Sequence, residues 1–188
     1  MDVAQAVISR RSGTRVVGPG PTDAELAELV SMAGTAPDHG RLSPWRLINL
    51  RGEARRALGE AMAASVGDEA LRERTVGKAL RAPLLITIVF RPEDRPKIPR
   101  WEQLAATVCA VQTLVLLLHD RGWSSIWRTG AFTEAAEVHK VLELAEGEQL
   151  LGWLYVGTAE TAAPATPRAL IDGYAKFSAV VPQAAALR

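Results

Sequence analysis

The amino-acid sequence predicts an α+β domain whose strands are separated by helices, and three observations carry that expectation. LLITIVF at 84–90 is continuously apolar and rich in β-branched residues, which suits a strand buried on both faces. The run from Trp101 to about Asp120 carries apolar residues around most of a helical circumference, so that helix must be central or lie in a subunit interface. Strand-like segments at 45–50 and 150–157 flank stretches rich in Ala, Leu, Glu and Arg. All 188 residues, 1–188, are read as one domain, long enough to bury a core.

Each element follows in chain order. Asp2 can cap a short first helix that ends near Arg10 and Arg11. In GPGPTDAEL a turn leads into a capping box, Thr22 with Glu25 three residues on, and Leu26, Leu29, Val30 and Ala33 recur at helical spacing. Pro37 and Gly40 then mark the loop APDHGRLSP. Trp45 to Leu50 reads as a strand, and 53–64 and 68–80 as two surface helices. Beyond the buried strand, RPEDRPKIPR is a proline-rich loop ahead of the long helix, which Gly122 ends. Ser124 to Arg128 is a short strand, Thr133 caps a helix running through Leu144, and LLGWLYVG is the last strand. The tail after Thr158 has no core pattern of its own; its Leu170, Ile171, Tyr174, Phe177 and Val180 are expected to pack on a partner subunit.

Composition narrows the function classes. A hydrophobic fraction of 48% and a charged fraction of 23% describe an ordinary globular chain. Lys+Arg 22 against Asp+Glu 21 leaves a net charge of +1, which offers no global attraction to nucleic acid or an anionic membrane. One cysteine, Cys109, excludes an internal disulfide, and inside its apolar run it reads as a buried, inert thiol. His39, His119 and His139 are widely separated and show no metal-ligand spacing. No glycine-rich dinucleotide fingerprint follows a strand, and no Walker A sequence is present. The start has no signal-peptide core, and the apolar segment 104–118, broken by Thr and Gln, reads as too short to span a bilayer, so a cytoplasmic protein is expected.

Four clusters can carry chemistry. Arg10, Arg11 and Ser12, with Arg15 close behind, offer guanidinium forks and a hydroxyl suited to a phosphate, although basic residues at a helix end also complement its dipole. The rigid loop Ala36–Trp45 is rich in donors, as ligand loops are, but equally a structural turn that sets Trp45 in the core. In Pro99–Gln103, Trp101 can stack on a ring or anchor an interface. In Ser125–Phe132 a strand runs into a glycine-bearing turn whose amides can meet the edge of a flat heterocycle, or simply join strand to helix.

Taken together, RRSxxR, APDH followed by PW, RAPLLITIV, PRWEQ, IWRTGA and LYVGT, in this order from about Val7 to Thr158, resemble the nitroreductase family, and within it the short YdjA-like branch of NAD(P)H nitroreductases. The resemblance implies a central antiparallel or mixed sheet flanked by helices, in a homodimer with a long interface helix. It further implies FMN at the subunit interface, with NADH or NADPH as reductant. It implies FMN contacts at Arg10, Arg11, Ser12, Thr35, His39, Trp127, Arg128, Thr129, Gly130 and Ala131, with His39 reaching the flavin from the other subunit. Gly122, Trp123, Ser124, Ser125 and Ile126 fall where the branch contacts the nicotinamide nucleotide, and Pro167–Arg168 offers a further phosphate contact.

The implied activity is reduction of nitroaromatic, quinone or similar electron-poor acceptors by ping-pong hydride transfer. The flavin itself carries that chemistry, so neither a catalytic side chain nor a metal is expected. Arg41 and Ser43 stand where the family commonly has Asn and Gln, and Thr35 replaces a basic residue of the close branch, which bears on flavin tuning. A flavin-binding sensor or storage protein and a specialised flavin enzyme are the alternatives. An unrelated structural dimer is a third.

Overall fold

The computed structural model describes residues 1–64, 66–161, 169–176 and 178. Six α-helices and five strands follow one another among them: α1 Val3–Ser9, β1 Val16–Val17, α2 Asp23–Ala33, β2 Trp45–Leu50, α3 Gly52–Ala63, α4 Glu69–Ala79, β3 Leu84–Phe90, α5 Arg100–Asp120, β4 Ser124–Arg128, α6 Ala136–Val141 and β5 Gln149–Ala159. Helix starts obey the local chemistry of the sequence. Asp2 Oδ1 accepts from Gln5 N at 2.8 Å, and Asp68 Oδ1 accepts from Leu71 N at 2.7 Å. Thr22 and Glu25 close the expected box, Thr22 N donating to Glu25 Oε2 at 2.7 Å and Glu25 N to Thr22 Oγ1 at 3.2 Å.

The sheet is antiparallel throughout its ladders, in the order β1-β5-β3-β2, with β4 also paired to β5. Strand periodicity sorts its side chains. Leu84, Ile86 and Ile88 join Leu154 and Val156 beneath α2 and α5, whereas Leu85 joins Trp153 and Tyr155 beneath α3, α4 and α6. Helices therefore cover both faces, and all seven residues of β3 are buried, including Thr87, the one polar residue among them.

Several expectations are corrected. Thr133 does not cap α6; it lies in a 3₁₀ turn, Ala131–Glu134, with its Oγ1 donating to Gly130 O at 2.9 Å, and α6 stops at Val141 rather than Leu144. Cys109 is exposed, not buried. It lies on the solvent side of α5 with Trp101 and Val108, which are 68% and 42% exposed, while Ala106, Ala110, Leu114 and Leu118 form the packed side. At 21 residues the whole of α5 is long and apolar enough to cross a membrane by length and composition, but it packs as a core helix against the sheet and α2. The two-residue β1 had no apolar pattern to announce it. In the tail, Leu170, Ile171 and Tyr174 are exposed in the single chain, while Phe177, Val180, Pro167 and Arg168 lie outside the described residues.

Candidate functional site

β4 is where the predicted groups meet. The chain leaves α1 at Arg10 and runs past the free edge of β4, where Ser12 pairs in parallel with Ser125 and Gly13 N donates to Ser125 O at 3.0 Å. The approach is close: a Cβ on Gly13 would come within 1.9 Å of Ser124 Oγ and would push that hydroxyl into another rotamer. The pairing places the phosphate-type residues beside the strand expected to contact the nicotinamide nucleotide. Between them lies a cavity of about 430 Å³, lined by Arg11, Ser12, Gly122, Trp123 and Ser124, with Met1, Ser9, Gly13, Thr14, Arg15, His119, Ala159 and Thr161.

The cavity is rich in cations and hydroxyls. Arg11 is half-buried, and its Nη1 donates to Ile8 O at 2.7 Å and to Arg10 O at 3.0 Å, so part of this side chain closes the end of α1. Arg10 caps α1 through its backbone N–H to Ala6 O. Arg15 is exposed and 3.7 Å from Glu160. His119, from the last turn of α5, reaches Ser9 Oγ with Nε2 at 2.7 Å. Burial, then the charge of Arg10, holds its pKa below the ordinary histidine value, with Asp120 opposing. His119 and Ser9 were not among the predicted residues; a lone histidine in an apolar run gives no signal until α1 packs against α5.

A second cavity, of about 340 Å³, is formed by the loop after α2 and lined by Gly34, Thr35, Ala36, Pro37, Asp38, Arg41 and Ser43. Thr35 Oγ1 donates to Met32 O at 2.8 Å, and Asp38 Oδ2 accepts from Ser43 N at 2.7 Å. Arg41 and Ser43 both adopt positive φ, 54° and 46°, which non-glycine residues hold only at a cost of about 1–3 kcal/mol each. His39 leaves this loop to meet Glu102 at the start of α5. Within one chain, then, Thr35 and His39 are not gathered into the cavity beside Arg11 and Ser12.

The Trp127–Ala131 group divides across the sheet. Trp127 packs toward α2 and α5, with Nε1 donating to Leu151 O at 2.9 Å. Arg128, one residue on, projects to the opposite face, its guanidinium 5.4 Å from the centre of the Tyr155 ring. Burial raises the Tyr155 pKa against the opposing charges of Arg128 and Arg81. Thr129, Gly130 and Ala131 are exposed at the turn, and Gly130 has φ 133°, a conformation that favours glycine. Ser125 is buried against β5, and Ile126 lies opposite Tyr155.

Known proteins resemble this chain in sequence and in fold. The model of the nitroreductase family matches residues 9–158. The chain is 34% identical over 165 residues to the Escherichia coli protein named "Putative NAD(P)H nitroreductase YdjA", covering 85% of this chain and 90% of that protein. A crystal structure of a nitroreductase-like family protein from Bacillus cereus superimposes with a TM-score of 0.83 at 25% identity, over 96% of each chain. The fold also matches, at a TM-score of 0.68 and 21% identity over 85% of this chain and 89% of the other, the FMN and NADPH-dependent nitroreductase NfnB from sphigopyxis sp. strain HMH. Family model, sequence identity and fold thus converge: the chain belongs to the nitroreductase family.

Proposed function

We propose that this protein is an FMN-dependent oxidoreductase that takes reducing equivalents from NADH or NADPH and delivers them to nitroaromatic, quinone or similar electron-poor acceptors. The observation that carries the reading is the cavity at the edge of β4, where Arg11 and Ser12 face Gly122, Trp123 and Ser124. Its donors suit a phosphate, because guanidinium forks and a hydroxyl can both donate to phosphate oxygens. Arg10, Arg11 and Ser12 would hold the FMN phosphate, and Trp127–Ala131 would line the flavin, chiefly through Thr129, Gly130 and the amides of the turn. Thr35 and His39 complete the pocket from the second copy of a homodimer, and Gly122–Ile126 receive the nicotinamide nucleotide. Bound FMN supplies the hydride chemistry, in a ping-pong cycle in which NAD(P)H and acceptor use the same face in turn.

The protein's own contribution is binding, orientation and charge. Arginines near the phosphate anchor one end of the cofactor, and the Trp127 indole, fixed by Leu151 O, gives the turn that follows a rigid base. No proton transfer by a side chain is required. Supply of NAD(P)H places the activity in the cytoplasm. The test is the visible spectrum of the purified protein followed by rapid mixing with NADPH or NADH: flavin bands that bleach are expected, and a colourless protein that stays so with added FMN overturns the reading. Replacing Arg10 and Ser12 together by Ala is expected to weaken FMN binding by about 2–4 kcal/mol, the scale of lost charge-assisted hydrogen bonds.

One observation favours a more specialised flavin enzyme or a flavin sensor. The strained, non-glycine Arg41 and Ser43 reshape the loop that carries His39. Steady-state turnover with menadione or nitrofurazone separates a general reductase from either.

A further inference from the structure

We propose that His119 is the proton-accepting member of the phosphate subsite, neutral in the free protein and becoming an imidazolium when a phosphomonoester dianion settles beside Arg11 and Ser12. This rests on the FMN reading and adds to it the residue that couples binding to pH.

The geometry fixes where the proton goes. His119 lines the same cavity as Arg11 and Ser12. Ser9 Oγ donates to the Gln5 carbonyl oxygen at 2.6 Å. With its one proton placed there, Ser9 Oγ accepts from His119 Nε2, 2.7 Å away, which corresponds to the Nε2–H tautomer of the neutral ring. Nδ1 is the atom left to gain a proton. The same hydrogen bond ties the ring to α1, the helix whose end leads into Arg11 and Ser12 on the cavity wall.

The charges around the ring give the direction. Burial disfavours the imidazolium most, and Arg10 and Arg11, just beyond the end of α1, disfavour it too. On its own helix Asp120 favours it, but the Asp120 carboxylate also pairs with the Met1 amino group at 2.9 Å. Arg15 on the cavity wall pairs with Glu160 at 3.7 Å, and Arg121 pairs with Glu28 at 2.7 Å. A dianion bound among the arginines offsets their charge and stabilises the imidazolium directly, so the bound-state pKa rises. Binding then takes up a proton from buffer in the window between the free and bound values, and affinity increases as pH falls through that window. No other bond is made or broken.

The experiment is calorimetric titration of the full-length protein with FMN and with riboflavin, in two buffers of different ionisation enthalpy near neutral pH, for the native chain and for His119→Gln. Gln can still donate to Ser9 Oγ. FMN is expected to draw up to one proton more into the native protein than into the variant, and riboflavin, which has no phosphate, no more into one than the other. Equal proton counts for FMN in both proteins overturn the proposal. In parallel, the His119 ring resonance is titrated with and without saturating inorganic phosphate, and its midpoint should move up with phosphate. If FMN does not bind but phosphate still moves the midpoint, the flavin reading fails and the anion-linked histidine stands. An unmoved midpoint overturns His119.

Discussion

His39 Nδ1 donates to Glu102 Oε2 across 2.7 Å, tying the loop after α2 to the first turn of α5. The loop needs holding. Gly40, Arg41 and Ser43 all have positive φ, and a Cβ on Gly40 would come within 2.5 Å of Ile98 Cδ1, so the backbone lies directly on the segment leading into α5. With Nδ1–H committed to the carboxylate, Nε2 is the ring atom left to serve the flavin under the proposed function.

Glu102→Leu removes that anchor. Because His39 is 63% exposed, the pair contributes under about 1 kcal/mol to global stability, and the melting temperature should fall by less than about 4 °C. FMN affinity, read by flavin fluorescence, is expected to drop severalfold, and Glu102→Gln, which still accepts, should largely restore it. Native affinity in the leucine variant would show that the anchor does nothing for the site.

Gly152 controls the turn from the other side of the sheet. The register of β5 against β3 slips between Ile88 and Val89, leaving Leu151 as an extra residue whose carbonyl receives the Trp127 indole. Gly152 has φ 110°, and a Cβ would come within 2.3 Å of Arg128 O. Gly152→Ala should therefore destabilise by about 2–4 kcal/mol in denaturant unfolding, combining backbone strain with a clash. Gly77, inside α4 with open space at its Cβ, predicts the opposite sign: Gly77→Ala should stabilise by about 0.5–1 kcal/mol.

Arg46 and Glu148 set an acid limit. Arg46 Nε and Nη2 donate to the two carboxylate oxygens at 2.8 and 2.7 Å, and the Glu148 side chain is 5% exposed. The hydrogen bond from Arg46 holds the carboxyl below the ordinary 4.5 although burial pushes upward. A depressed folded-state pKa means the stabilisation is complete above the ordinary value and is lost as pH falls through the folded value. Glu148→Gln should cost about 1–3 kcal/mol at neutral pH and flatten the loss of stability below about pH 4.5. An unchanged acid slope in urea unfolding would assign it to other carboxylates.

Cys109 reports on pairing. It is exposed in the single chain, on the face of α5 shared by Trp101 and Val108. A homodimer closed over that face shields the thiol. Reaction with an aromatic disulfide reagent is expected to be slow at micromolar protein and to accelerate on dilution or in mild urea. Fast reaction at every concentration would exclude α5 as the dimer contact.

Much of this was legible in the sequence because local chemistry decides it. A capping box at Thr22 and Glu25 starts α2 wherever that helix packs, and six apolar residues with one threonine after Pro83 have nowhere to go but an interior strand. The site is different. RRS and GWSSI could be named from the sequence, but their meeting depends on Ser12 lying beside Ser125, a pairing across more than a hundred residues that no local pattern encodes. His119 and Ser9 entered the cavity only when α1 settled on α5, and Cys109 faced solvent because a helix apolar on most sides still buries just the side its neighbours cover. Propensity and caps act over one turn, so the chain alone specified its elements; which side chains share a cavity was settled by packing, whose contacts join residues far apart in sequence.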